Sequence, residues 1–165
     1  MGTETSAGGI AELNVHQRVI DDALGSIIRW SLYEFHTRLV ETSGVYIDRS
    51  MISILTRLSA AGPLRISDLA DRLGLDRSTL SRQVAAAVAA GYVSRAADDS
   101  DNRAYLVSMT EEGKAAYQAV HRARTLLMVE LTGRMTPSEV VRVADALPVL
   151  AGALENLAVP GGSYP

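Results

Sequence analysis

The chain is expected to fold as a mainly α protein with one small β-hairpin, and three observations predict this. Apolar residues recur at helical spacing through most of the 165 positions. The pattern changes to an alternation of two only between Tyr92 and Met109. Glycines, prolines and short polar residues punctuate the helical stretches where caps are needed. With 47% hydrophobic and 21% charged residues, a chain of this size can bury roughly 70% of its unfolded surface without crosslinks. It contains no cysteine, which excludes a disulfide framework, a thiolate metal site, a cysteine nucleophile and a thiol redox switch. No run of about 18 apolar residues is present, and the first residues lack the basic start and apolar stretch of a signal peptide. A cytoplasmic location and no membrane partner are therefore expected.

Residues 1–11 are small and polar, with Gly8-Gly9, and read as a disordered terminus. A long helix is expected over 13–42, where Val15, Val19, Ala23, Ile27, Trp30 and Leu39 keep a mostly 3.6-residue period up to Ser43-Gly44. It would span roughly 40 Å. A second helix starts at the N-cap candidate Asp48, carries Met51, Ile52, Leu55 and Leu58 on one face, and stops at Gly62-Pro63. Ser67 can cap a short third helix, Asp68 to Leu73, closed by Gly74 in the left-handed position. Leu75 alone separates that glycine from Asp76, the cap of a fourth helix, so the pair forms a helix-turn-helix. Leu80, Val84, Ala87 and Val88 give the fourth helix its buried stripe, while Arg77, Ser78, Ser81, Arg82 and Ala85 lie opposite.

After Gly91 the chain runs out through Tyr92–Arg95, turns at Asp98–Asn102 and returns through Arg103–Met109 as a hairpin with a polar tip. Thr110 caps a helix that places Glu111 and Glu112 at its positive end and reaches Thr132-Gly133. Thr136-Pro137-Ser138-Glu139 is a capping box with proline in the first turn. The last helix carries Val140, Val143, Leu147, Leu150, Leu154 and Leu157, and Pro148 is expected to kink or split it. Segments 12–47 and 111–158 thus form one helical region, 48–110 the helix-turn-helix with its hairpin, and 159–165 a tail. The long apolar stripes of the terminal helices exceed what a small domain can cover, so a second copy of the chain is the expected cover.

A helix-turn-helix followed directly by a hairpin is the winged-helix plan. One helix fits a DNA major groove and the hairpin beside it reaches the backbone or the minor groove. Arg77, Ser78, Thr79, Ser81 and Arg82 are the candidate contacts on the helix, and Arg95 and Arg103 those on the wing. Overall charge adds nothing to this reading: the formal net charge is −3. Fifteen of the 16 basic residues are arginine and one is Lys114. Between Pro63 and Thr110 six arginines meet six aspartates, of which Asp68 and Asp76 are explained by helix starts.

Gly62–Ala70, Asp76–Arg82, Asp101-Asn102-Arg103 and Thr110–Gly113 together resemble the MarR family of bacterial transcription regulators, and the resemblance covers nearly the whole chain. It implies a winged helix flanked by dimerisation helices. It also implies that Arg103 of the family's Asp-x-Arg wing signature meets the minor groove while Asp101 helps hold the wing. Where that family has a second acidic residue, this chain has Ala104. The resemblance further implies a small, often aromatic, anionic effector between the dimer helices and the winged helix. Trp30, Tyr33 and His36, three apart on the first helix, are candidates to touch it, or simply pack against the second helix.

His16, His36 and His121 sit at spacings that form no ligand pair, so no metal is expected. No Gly-x-Gly-x-x-Gly, phosphate loop or Ser/His/Asp arrangement with supporting context is present, so no catalytic residue and no cofactor are expected. The expected protein is a dimeric, sequence-specific transcription regulator. It would bind double-stranded DNA with an inverted-repeat operator and, as a repressor, be released by its effector. The alternative is a helical dimer that binds a small molecule or partner protein without DNA.

Overall fold

The computed structural model describes residues 4–98 and 101–157, with side chains for 14–97 and 105–157. Helix α1 (Glu4–Arg29) passes without a break into a π-helical turn (Trp30–Phe35) and then α2 (His36–Ser43). Helix α3 (Arg49–Ala61) follows, then a two-residue strand β1 (Leu64–Arg65), α4 (Ile66–Leu73) and α5 (Arg77–Ala89). The hairpin is β2 (Val93–Asp98) and β3 (Asp101–Met109), and the chain closes with α6 (Glu111–Thr132) and α7 (Pro137–Leu157). The helical run begins at Glu4, so it takes in most of the segment that composition marks as tail. Near its other end it is not uniform, because the turn at 30–35 changes register.

The expected caps form. Asp48 accepts from the Met51 amide at 2.8 Å and from the Ser50 hydroxyl at 2.6 Å. At α7, Glu139 accepts from the Thr136 amide at 2.8 Å, closing the capping box. α4 differs from expectation. Its N-cap is Arg65, whose side chain does not cap the helix, and Ser67 lies inside the first turn, donating to Asp68 at 3.2 Å. The cause is β1: Leu64 and Arg65 pair antiparallel with Val107 and Leu106, so the chain enters α4 directly from a strand.

The sheet order is β1-β3-β2. Val93 pairs with Met109, Arg95 with Val107 and Ala97 with Tyr105, and the register shifts between Ala97 and Asp98. Val107, on the face the alternation selects, is fully buried. It joins Ile54, Leu55, Leu69, Leu80 and Val84 in a core that α6 extends through Val120, Ala123 and Leu127. Each of the Val, Leu and Ile side chains contributes about 1.5–3 kcal/mol by leaving water. Val88 is the exception in the α5 stripe, 39% exposed near the helix end.

Thr110 fastens the hairpin to α6. Its hydroxyl accepts from the Gly113 amide at 2.9 Å and donates to the Gly91 carbonyl at 2.6 Å, while its own amide donates to the Tyr92 carbonyl at 3.1 Å. Gly113 lies so close that a Cβ there would stand 1.9 Å from the Tyr92 oxygen.

The terminal helices contrast with this core. α7 buries no residue and stays one helix through Pro148, so the proline does not split it. Val143, Leu147, Leu154 and Leu157 are exposed, as are Val15, Val19, Ile20, Ile27 and Ile28 on α1. α2 packs on α6, where Glu130 meets Arg38 at 2.6 Å and Arg134 at 2.9 Å.

Candidate nucleic-acid interface

The turn between α4 and α5 is built by backbone bonds. Leu75 donates to the Ala70 carbonyl at 3.0 Å and Gly74 to that of Asp71 at 3.3 Å, with Gly74 at φ 64°. This closing pattern needs a left-handed residue, which glycine supplies without a Cβ penalty. Asp76 then caps α5, accepting from the Thr79 amide at 2.9 Å and from the Ser78 hydroxyl at 2.6 Å. These hydrogen bonds, from the Ser78 and then the Thr79 side, hold its carboxyl well below the usual carboxylate range. Asp76 is therefore ionised at neutral pH and orients the first turn of the helix.

Leu80, Val84 and Ala87 bury one side of α5. On the other side Arg77, Ser78 and Arg82 are exposed, and Thr79 and Ser81 are half-buried. Arg82 reaches back to the Thr79 hydroxyl at 3.3 Å. Arg95, on β2, donates to the Ser81 carbonyl at 3.1 Å, which joins the root of the hairpin to the middle of α5. A guanidinium has five N–H donors, so this bond leaves capacity for a phosphate. Asp101 pairs with Asp98 along the backbone at the end of the hairpin. The side chains of Asp101 and Arg103 lie outside the described residues.

A cavity of ≈ 360 Å³ lies where α2, α3 and α6 meet, within the size range of small-molecule sites. Phe35, Leu39, Ile52 and Val120 form its apolar wall, and Arg49, Arg124, His36 and His121 bring basic groups to it. His36 is thus placed on the cavity, whereas Trp30 and Tyr33 are not. Trp30 packs against Phe35 with ring centroids 4.8 Å apart and the rings tilted by 44°, and Tyr33 is 74% exposed. The π-turn is the reason: an i→i+5 register changes which residues share a face, so a spacing of three no longer aligns these side chains. Arg49, Tyr117, His121 and Arg124 were not anticipated as a site. The available signal was on α6, where Tyr117, His121 and Arg124 recur at i, i+4 and i+7 as a polar face. Arg49 comes from another helix and carries no such signal.

Among the described residues no three His, Cys, Asp or Glu side chains converge as a metal site would require. No helix of the described residues is long and apolar enough to cross a membrane.

Comparison with known proteins places this architecture. Residues 47–105 match the family model for MarR. The chain is 24% identical over 155 residues to the uncharacterized HTH-type transcriptional regulator YfiV of Bacillus subtilis, covering 88% of this chain and 97% of that one. It is 40% identical over 78 residues to another such regulator of that organism, YxaD, covering 47% of this chain and 54% of the relative. Among solved structures it resembles apo MarR from E. coli with a TM-score of 0.63 and 26% identity, over 77% of this chain and 96% of that one. It resembles a cysteine-to-serine mutant of E. coli MarR complexed with operator DNA with a TM-score of 0.62 and 25% identity, over 78% and 93% of the two chains. The winged helix of this chain, residues 47–105, is thus that of the MarR family of transcription regulators, and the helices around it are shared with these solved structures.

Proposed function

We propose that the protein is a two-fold dimer that binds an inverted-repeat operator as a repressor and releases it when a small anion with an apolar or aromatic body fills the α2–α3–α6 cavity. The observation that carries the DNA part is the polar face of α5, braced to the wing by the Arg95–Ser81 bond. Arg77, Ser78, Thr79, Ser81 and Arg82 would enter the major groove. Arg95 and Arg103 would reach the backbone or minor groove, with Asp101 supporting the wing. The open apolar faces of α1 and α7 support the dimer, because monomeric proteins rarely leave such extended apolar surface uncovered. The basic groups of Arg49, Arg124, His36 and His121 support an anionic effector, whose leverage is its differential affinity for two dimer geometries.

The test is a gel shift at several salt concentrations on genomic fragments selected by the protein itself. Phosphate neutralisation makes affinity fall steeply with salt. Arg103→Ala should weaken binding across sequences and reduce the salt slope by about one counterion. Unchanged slope and affinity would put the wing away from DNA, and failure to retain any fragment at low salt would favour a helical dimer without DNA binding.

A further inference from the structure

The π-turn has no cause in its own residues, since Trp30–Phe35 contains neither glycine nor proline. A change from i→i+4 to i→i+5 bonding leaves carbonyl capacity over at the junction, and side-chain donors reach the carbonyls of the turn. Arg49, in the first turn of α3, donates through Nη2 to the Ser31 carbonyl at 2.7 Å and also to the Leu32 carbonyl. The Thr37 hydroxyl donates to the Tyr33 carbonyl at 3.1 Å. Three consecutive carbonyls of the turn thus receive side-chain donors, two of them from one arginine. The Trp30–Phe35 ring contact is a second mark of the same register. Residues five apart lie about 140° apart around an α-helix and do not stack, but an i→i+5 turn brings them together.

Arg49 also lines the cavity, beside Arg124, His36 and His121. Its partners in the turn are neutral carbonyls. A carboxylate offers the same guanidinium a bidentate, fork-to-fork pair in which both partners carry charge, which two separate carbonyls do not.

We propose that Arg49 is a latch shared by the π-turn and the cavity: an anion seated in the cavity draws the guanidinium off the Ser31 and Leu32 carbonyls, and the turn passes to α-helical register. The inference rests on the effector reading above. Once Arg49 leaves, those carbonyls lose a side-chain donor, which favours closing the local ladder to i→i+4, where no carbonyl is skipped at the exit from the turn. Closing it over six residues rotates α1 against α2 by about 100°, one residue's worth of helix. The apolar stripe of Val15, Val19 and Ile20 then turns relative to α2 and α6, changing the face that α1 offers to a second subunit. Arg49 is a positioning residue in this scheme, since it alters DNA binding only through the helix it holds.

Trp30 is the single tryptophan of the chain and does not line the cavity, so its emission reports the contact with Phe35. The full-length protein is titrated with benzoate while the heat of binding and the Trp30 emission are followed in parallel. A saturable heat and an emission shift with the same midpoint are expected. Arg49→Gln, checked for native helix content by circular dichroism, should show the shifted emission without benzoate and no further change with it. Arg49→Lys keeps the charge but loses the fork, so it should bind benzoate and start from an intermediate emission. Heat without an emission change overturns the latch and leaves the effector site standing. Wild-type emission in both variants overturns it equally. Absence of any heat removes the effector reading, and the trigger of the latch with it.

Discussion

Arg82 and Gly113 show how differently single residues are constrained here. Arg82 is exposed on α5 and, among the described residues, bonds only the Thr79 hydroxyl, so Arg82→Ala should leave the thermal midpoint unchanged. As a base contact it should lower operator affinity by about 1–3 kcal/mol. Gel shifts on specific and scrambled DNA check this, and equal losses on both would make it a phosphate contact instead. Gly113→Ala should do the reverse. The new Cβ would meet a backbone oxygen that cannot rotate away, so a destabilisation of at least about 2 kcal/mol is expected in urea unfolding. Asp76 sets a pH dependence. Its carboxyl is held below the ordinary 3.8 by hydrogen bonds from Ser78 and Thr79, so the folded state binds that proton less readily than the unfolded chain. The resulting stability is present above the ordinary value and is lost as pH falls through the lower, folded value. Asp76→Asn keeps a capping acceptor without the charge. It should match the wild type near neutral pH and show a smaller loss of stability in acid; identical acid profiles would refute the assignment.

Helix α5 depends on what lies beneath it more than on its own composition. Leu80 is completely buried, and Leu80→Ala should cost about 2–5 kcal/mol through lost transfer energy and the cavity left behind. Thermal unfolding of the variant with and without operator DNA measures this. A loss under 1 kcal/mol would mean that the core relaxes around the helix. α7 is the opposite case, with an apolar stripe and no buried residue. Removal of residues 136–165 should expose the face of α1 that α7 and its copy would cover in the proposed dimer. Aggregation or weak monomeric DNA binding is the expected result, and a stable, tightly binding monomer would exclude that role for α7.

In the proposed dimer, symmetry sets the spacing of the DNA contacts. A C2 axis would place two copies of the Arg77–Arg82 segment on one side of the assembly. Successive major grooves on one face of DNA recur each helical turn, so half-site centres should lie about 10 bp apart or a small multiple. Sedimentation at micromolar concentration should report about twice the 17.6 kDa chain mass. Inserting about five base pairs between half-sites should rotate one by half a turn and abolish cooperative binding. Undiminished binding to that spaced operator is the result incompatible with a two-fold reader. With no cysteine in the chain, low peroxide should not release the operator unless mass spectrometry also finds methionine sulfoxide.

Local signals made most of the elements legible in advance. Asp48, Asp76, Thr110 and Thr136 bond to backbone amides within three residues, and Gly74 closes a turn through its own φ, so each can be read without knowing the rest of the fold. The polar face of α5 follows from the same short-range periodicity. Neither the α4 start nor the cavity could be read this way. β1 exists because Leu64 and Arg65 find a partner strand some forty residues further on, and that pairing moved the helix start away from Ser67. Arg49 meets carbonyls of the π-turn 17 and 18 residues earlier in the chain, and that turn leaves His36 on the cavity and Trp30 and Tyr33 away from it. The basic groups of that cavity come from α2, α3 and α6, the last separated from the first two by the helix-turn-helix and the hairpin. Hydrogen bonds and periodicities that close within one or two turns are written in consecutive residues, whereas a site made by helices crossing in space exists only once the core has fixed how they cross.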